Sequence, residues 1–453
     1  MRNPLRKLTK RPISVAVTGL SQAGKTVFLT SLIDHLIQGG EESLERFAEE
    51  DLSFSARPLP VPTDRTRFPY RLNLEKLRGT SPDWPEPTSG ISEFRLELAV
   101  RSGTRRKCRR IELRLVDYPG ERLLDLPLLE KDFPTWSEET LRRARTAPRS
   151  ELSEDWLAEI RTLAECPQAA EDADGTRLVA EYRRYLETCR ENGLPFVQPA
   201  ALVCQSHEEH DVPVEFCPLP PEVLEAKGGI GSRFEDRYET YTREHVRPFS
   251  RRVARAKRQI VLVDVLDVLR KGVHSYNDTR ECLREILEGY GYRRRRHPLS
   301  PLRLLDRWNS IERVAFVATK ADQCGRSTRG NLKHLLRELV APKRQDLSVK
   351  HGDIGLRVDF VASHRSTEDA SKEYDGQQIS CLRGRRADRD ENEGVWFPGE
   401  IPPEWPEDDW DPEEKQFDFP DFLPTRAPKR DGALIEHINL DDVIFYMIED
   451  LVP

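Results

Sequence analysis

The eight residues Gly19–Thr26, GLSQAGKT, fit G-x-x-x-x-G-K-[ST], and no other feature restricts the fold of this chain as tightly. Immediately before them, Ser14–Thr18 (SVAVT) is a short apolar, β-branched run of the kind that forms a buried strand. After them, Val27, Phe28, Leu29, Leu32, Ile33, Leu36 and Ile37 recur at helical spacing, and Gly39-Gly40 supplies a stop. Strand, glycine-bearing loop and helix thus follow in the order a phosphate cradle requires. Gly19 and Gly24 let the loop turn so that the N–H groups of Ser21, Gln22, Ala23, Gly24, Lys25, Thr26 and Val27 point inward, reinforced by the positive end of the helix dipole. Lys25 is placed to reach the β- and γ-phosphates and the Thr26 hydroxyl to ligate Mg²⁺. The expected fold class is α/β, a doubly wound, mostly parallel sheet of the P-loop NTPase type.

Three further segments bear on which nucleotide is held. Arg110–Gly120 (RIELRLVDYPG) is a strand ending in Asp117-Tyr118-Pro119-Gly120, where a tip carboxylate can hold Mg²⁺ through water and the Gly120 N–H can sense the γ-phosphate. Val314–Asp322 (VAFVATKAD) is a strand ending in Thr319-Lys320-Ala321-Asp322. The Asp322 carboxylate can accept from guanine N1–H and the exocyclic amine, a donor pair adenine lacks, while the Lys320 stem lies over the purine face. Val358–Ser366 (VDFVASHRS) is a third strand, whose Ala362 and Ser363 N–H groups are placed to meet the guanine oxygen. Thr88, just ahead of a strand near Glu93–Val100, is the expected switch threonine, a ligand of Mg²⁺ and the γ-phosphate; Thr63, Thr66 and Thr80 are its competitors. Lys25, Thr88 and Gly120 are therefore the expected catalytic set, with Thr26, Thr88 and Asp117 on the metal.

These elements in this order resemble the translation-factor-like GTPases, with T-K-x-D in place of N-K-x-D. VTGLSQAGKTVFLTSLIDHL, VDYPGE, IVLVDVLD, ATKAD and FPGEIPP together resemble more closely the YcjX-like family of bacterial P-loop GTPases, over about Arg11–Leu451. The resemblance implies GTP and GDP as ligands with Mg²⁺, and a stress-related role at the bacterial inner membrane. A protein effector and a peripheral membrane contact are expectations of the same origin.

One position departs from common GTPase chemistry. Glu121 stands where a Gln often orients the attacking water; an ionised carboxylate accepts a proton but donates no hydrogen bond, and its charge repels the γ-phosphate. Either Glu121 points away and serves structure, which is the preferred expectation, or the site hydrolyses slowly. Turnover is expected to be slow without a partner, and a nucleotide-stabilised adaptor with negligible turnover is the rival reading. A P-loop ATPase or kinase in which TKAD is accidental is another.

The expected organisation is a first part of the GTPase domain over 1–121, a helical insertion over 122–257, a second part over 258–365, an irregular arm over 366–430 rich in Pro, Asp, Glu and Arg, and a closing helix over 431–453 with Asn439 as N-cap. Within the insertion Trp156, Leu157, Ile160 and Leu163, then Leu178, Val179, Tyr182, Tyr185 and Leu186, have helical spacing. Asp278 with Glu281 resembles a capping box opening a helix through Leu287. RQIVLVDVLD (Arg258–Asp267) reads as one apolar strand.

A net charge of −7 argues against nucleic acid as the main partner. No apolar run approaches the ~20 residues of a membrane span, and the basic start MRNPLRKLTKRP lacks the apolar segment of a secretory signal. The eight cysteines never form C-x-x-C, which fits a reducing cytoplasm. Cys204, His207, His210 and Cys217 match no standard zinc spacing and read as a surface turn. Arg293–Arg296 reads as a solvated loop, and with the basic N-terminus it is the place to test for headgroup contact.

Overall fold

The structure, a computed structural model, describes residues 12–452 apart from 21, 39–43, 87–89, 104–106, 166–171, 204–213, 227–228, 288–310, 351–354, 375, 390–392, 407–409, 411–416, 418 and 426–433. Ser21, Thr88, the zinc-like residues Cys204, His207 and His210, and Arg293–Arg296 lie outside the described residues. The chain divides into two compact units: Met1–Pro119 with Ala256–Arg270 and Ile311–Pro453, and Gly120–Arg255 with Lys271–Ser310.

The first unit is α/β. Its main sheet has, among the described residues, seven strands: β1 (Ile13–Gly19), β2 (Leu52–Leu59), β3 (Ser92–Ser102), β4 (Lys107–Asp117), β5 (Arg258–Val263), β6 (Arg313–Ala318) and β7 (Gly355–Phe360). They are ordered β2-β3-β4-β1-β5-β6-β7, with β4, β1, β5, β6 and β7 parallel and β2 and β3 added antiparallel. The two halves differ as their sequences do. β1 and β5 are apolar and buried along nearly their whole length, as strands covered on both faces must be. β3 alternates: Phe94, Leu96, Leu98 and Val100 enter the core, while Glu93, Arg95 and Glu97 face the other way and join a ladder of ion pairs with Arg57, Arg65, Arg110 and Arg114.

The apolar face of the helix Lys25–Gln38 packs on the sheet through Phe28, Leu29, Leu32, Ile33 and Leu36. The closing helix Leu440–Ile448 adds Val443, Ile444, Met447 and Ile448 to the same core. Its end is clamped by arginines on adjacent strands: Arg258 to Asp450 at 2.7 Å and Arg313 to Glu449 at 2.6 Å. Asn439 does precede this helix, but its side chain makes no capping bond; its Nδ2 donates to Phe360 O at 3.3 Å.

Two sequence expectations change here. The run Arg258–Asp267 is not one strand, because β5 ends at Val263 and Val265–Arg270 is helical. Asp264 causes the break: its Oδ1 accepts from Asp267 N–H at 3.0 Å and so caps the helix. The arm is not irregular throughout, since β8 (Thr367–Tyr374), β9 (Gln377–Gly384) and β10 (Gly394–Trp396) form an antiparallel sheet in the order β10-β9-β8.

The second unit is helical among its described residues. It opens with a 3₁₀ run, Gly120–Glu130, followed by the helices Phe133–Ala144, Glu154–Glu165, Asp172–Glu191 and Ile230–Tyr241, among others. Gly272–Leu287 also belongs to it, so the chain leaves the sheet twice. That helix starts six residues before Asp278, which is therefore not a cap. Buried mid-helix, Asp278 pairs instead with Arg149 at 2.9 Å and accepts from Phe196 N–H at 2.7 Å, and Glu281 takes Arg143 at 2.8 Å. Aromatic rings fill the core: Trp136 stacks on Tyr238 and Trp156 on Tyr185.

Candidate functional site

Parallel pairing puts the C-terminal ends of β4, β1, β5, β6 and β7 on one sheet edge. The register aligns Gly19 with Leu262 and Val17 with Asp117, and carries Val263 across to Ala318 and Phe360. The loops holding the expected phosphate, metal and base residues therefore leave the same edge. β1 and β6 are separated by β5 alone, about 10 Å at ordinary strand spacing.

The phosphate loop is built by backbone geometry. A Cβ on Gly19 would stand 2.5 Å from Leu262 O, so only glycine lets β1 hand over to the loop so close to β5. Gln22 and Gly24 are left-handed, at φ +59° and +78°. Ala23 N–H bonds Leu20 O at 3.3 Å and Phe28 N–H bonds Gly24 O at 2.9 Å, so the helix begins at Lys25 with Thr26 and Val27 in its first turn. The Lys25 ammonium donates to Gly19 O at 3.0 Å and Leu20 O at 3.1 Å, which holds it over its own loop.

Asp117 is the last residue of β4 and is 1% exposed. Gly120 and Glu121 begin the second unit, where Gly120 is buried and Glu121 half-buried. Arg122 lies with its guanidinium 5.7 Å over the Phe249 ring.

The TKAD loop is strongly constrained. Thr319 N–H bonds Val263 O at 3.0 Å and its hydroxyl also turns to Val263 O at 3.4 Å, back toward the sheet. Lys320 is left-handed at φ +58°, a conformation a non-glycine residue keeps only where its surroundings hold it. Its ammonium is 2.7 Å from Asp264 Oδ2, and that carboxylate, with burial opposing, drives its pKa up. Asp322 is buried; its Oδ2 accepts from Ser366 N–H at 2.7 Å and Ser366 Oγ at 2.5 Å. Burial pushes the Asp322 carboxyl up, and the Ser366 bonds and Arg329 pull it back.

Ala362 and Ser363 lie just beyond β7. The Ala362 N–H, assigned to the guanine oxygen, donates to Ile438 O at 3.1 Å in a bridge between the base loop and the C-terminal segment. Ser363, the next residue, is buried. Three residues that matter here were not singled out in the sequence. Ser366 fixes Asp322, Asp264 holds Lys320, and His364 is buried against the Trp84 ring, 5.5 Å between centroids, with its pKa lowered to about 4 by burial. The Trp84 indole N–H also donates to Phe422 O at 2.9 Å, so the described flank of Thr88 is tied to both the base loop and the arm.

Among the described residues no group of three or more His, Cys, Asp and Glu could hold a metal ion, and no helix is long and apolar enough to cross a membrane. Cys217, the described member of the zinc-like set, is buried, and burial raises its thiol pKa.

The profile of the YcjX-like family (DUF463) matches residues 13–452. The chain is similar to the Ras-like GTPase YcjX of Escherichia coli, 30% identical with 99% of each chain covered. It is also similar to the Ras-like GTPase YcjX of Shewanella oneidensis, 27% identical over 98% of this chain and 96% of the relative. With a family match that takes in both units, a phosphate loop at the tip of β1 and two full-length relatives, the chain belongs to the YcjX-like family.

Proposed function

We propose that this protein binds guanine nucleotides and hydrolyses GTP to GDP and phosphate with Mg²⁺. One observation carries the reading: the phosphate loop, Asp117 and the TKAD loop leave the same edge of one sheet, two of them separated by a single strand. The names of the two relatives point the same way.

In this reading Lys25 exchanges the carbonyls of Gly19 and Leu20 for phosphate oxygens, and the loop N–H groups from Ser21 to Val27 surround the β-phosphate. Asp322 reads the base. Ser366 occupies two of the roughly four lone-pair positions of its carboxylate, which leaves two for the two guanine donors. Thr319 and Ser363 line the base loop on either side of Asp322. The Thr26 hydroxyl and the Asp117 carboxylate are hard oxygen donors that would hold Mg²⁺, with Thr88 as the switch ligand; the ion would supply neutralisation of charge on the phosphates. The Gly120 N–H meets the γ-phosphate. Glu121 serves structure if it points away and slows intrinsic hydrolysis if it faces the phosphates, and with the large insertion it leaves open the second reading, an adaptor that binds nucleotide without turnover.

Two measurements test this. Equilibrium titration should give tighter binding of GTP and GDP than of ATP; equal affinity for ATP contradicts the base assignment. Steady-state phosphate release above background separates the GTPase from the adaptor. The stress-related setting and the contact with the inner membrane follow from the family resemblance, and cell fractionation with and without the basic N-terminus tests them.

A further inference from the structure

Lys320 belongs to a closed polar ring whose other members come from the residue just after β5, the helix that follows and the arm. Asp264 Oδ2 is 2.7 Å from the Lys320 ammonium, while its Oδ1 accepts from Asp267 N–H at 3.0 Å. Asp267 pairs with Arg270 at 2.6 Å, and Arg270 reaches Asp421 at 3.4 Å. Asp421 closes the ring, 3.7 Å from the Lys320 ammonium. The Asp264 carboxylate is thus held at Oδ1 by the helix N-terminus and meets the lysine through Oδ2, and its side chain is 9% exposed against 54% for Asp421.

This arrangement decides what Lys320 can do. An ammonium held by a buried carboxylate is not a free phosphate ligand; what the residue offers a ligand is its methylene chain. That chain starts on the loop after β6 and ends at the tip of β5. β5 stands between β6 and β1, so the stem runs from the Asp322 side toward the phosphate-loop side. A purine joined to phosphates in the Gly19–Thr26 loop must cross the same interval to reach Asp322.

We infer that Asp264 is a positioning residue for base recognition, pinning the Lys320 ammonium so that the lysine stem forms a fixed apolar floor for the purine, and that Asp421 makes the arm part of this site. The inference rests on the guanine reading above. Asp264 touches no ligand in it and acts through Lys320 alone.

The test uses the full chain and two probes, GDP and inorganic tripolyphosphate, the second of which carries no base. Asp264→Asn keeps the size of the side chain and weakens the charge-assisted bond. It should raise the Kd for GDP about tenfold and leave the Kd for tripolyphosphate unchanged. Asp421→Asn, at a half-exposed site where folding is not at stake, should raise the GDP value by about two- to threefold with the same indifference to tripolyphosphate. GDP affinity unaltered in Asp264→Asn, in a protein whose Asp322→Asn variant does change base preference, overturns this inference and spares the guanine reading. An equal loss for both probes also overturns it, because Asp264 then serves only the fold. A wild-type protein that binds tripolyphosphate but prefers no guanine nucleotide removes the guanine reading and this inference together.

Discussion

The two units bury polar groups for different ends. In the helical unit several buried polar groups satisfy one another. Arg149 is bonded to Asp278, Tyr185, Cys189 and Phe196 O, and Gln198 links the Trp136 indole to Leu124 O. Asp125 accepts from Tyr241 at 2.7 Å and Ala200 N–H at 2.8 Å. In the sheet unit several such groups stand at strand tips or in the loops beyond them, held in place but not used up: Lys25 on its own loop carbonyls, Asp322 by one serine, Lys320 by Asp264. A network closed on itself stabilises, and one oriented toward an edge recognises something else.

Substitutions can break that contrast. The largest effect is expected at Lys25: Lys25→Ala should lower phosphate release by on the order of a hundredfold or more, with the melting of the helical unit unchanged. Turnover equal to wild type would remove the phosphate loop from the chemistry. Next comes Arg149→Ala, which strands the Asp278 carboxylate in the interior and should cost about 3–5 kcal/mol, read as faster amide exchange in the helices Asp172–Glu191 and Gly272–Leu287. Exchange that stays slow there contradicts a structural role for the pair.

Acid should separate the units more gently. Burial, with His437 adding to it, lowers the His35 pKa from the usual 6.5 to about 4, so its stabilising contribution is complete above pH 6.5 and fades as pH falls toward 4. Asp125 has the opposite sign: burial raises its pKa from 3.8 to about 6, so its contribution is complete below 3.8 and is lost as pH rises through 6. Between pH 6.5 and 4.5, His35→Gln should lose less stability than wild type, and Asp125→Asn should gain less, each by roughly 1–3 kcal/mol. Denaturant unfolding followed by unit-resolved exchange reads both, and equal slopes in all three proteins would rule the assignment out.

The same contrast governs what the sequence discloses. The phosphate loop and the D-x-x-G and TKAD strand tips are legible because each is a local pattern, a run of apolar residues followed at once by a chemical group. Asp264 is hidden because IVLVDVLD reads as a continuous apolar strand; only its capping bond to Asp267 shows where β5 stops. Ser366 and Asp421 act across the fold on residues far from them in sequence, and no local spacing marks them. The hairpin β8–β9 is mostly polar, with few apolar residues to mark an alternation, although Asp375-Gly376 is a turn signal that could have revealed it. In the helical unit the periodicity of Trp156–Leu163 and Leu178–Leu186 marks helices correctly, while Asp278 and Glu281 mislead. Their capping-box spacing is real, but arginines from other helices, Arg149 buried and Arg143 half-buried, claim both carboxylates.

The account turns on Lys25 and Asp322 serving opposite ends of a single nucleotide. Asp322→Asn tests this most directly, by titrating wild type and variant with GTP, XTP and ATP. The account predicts that the variant loses affinity for GTP and gains it for XTP, because xanthine offers an acceptor where guanine has its amine, with phosphate-loop binding preserved. Unchanged preference among the three nucleotides would contradict it.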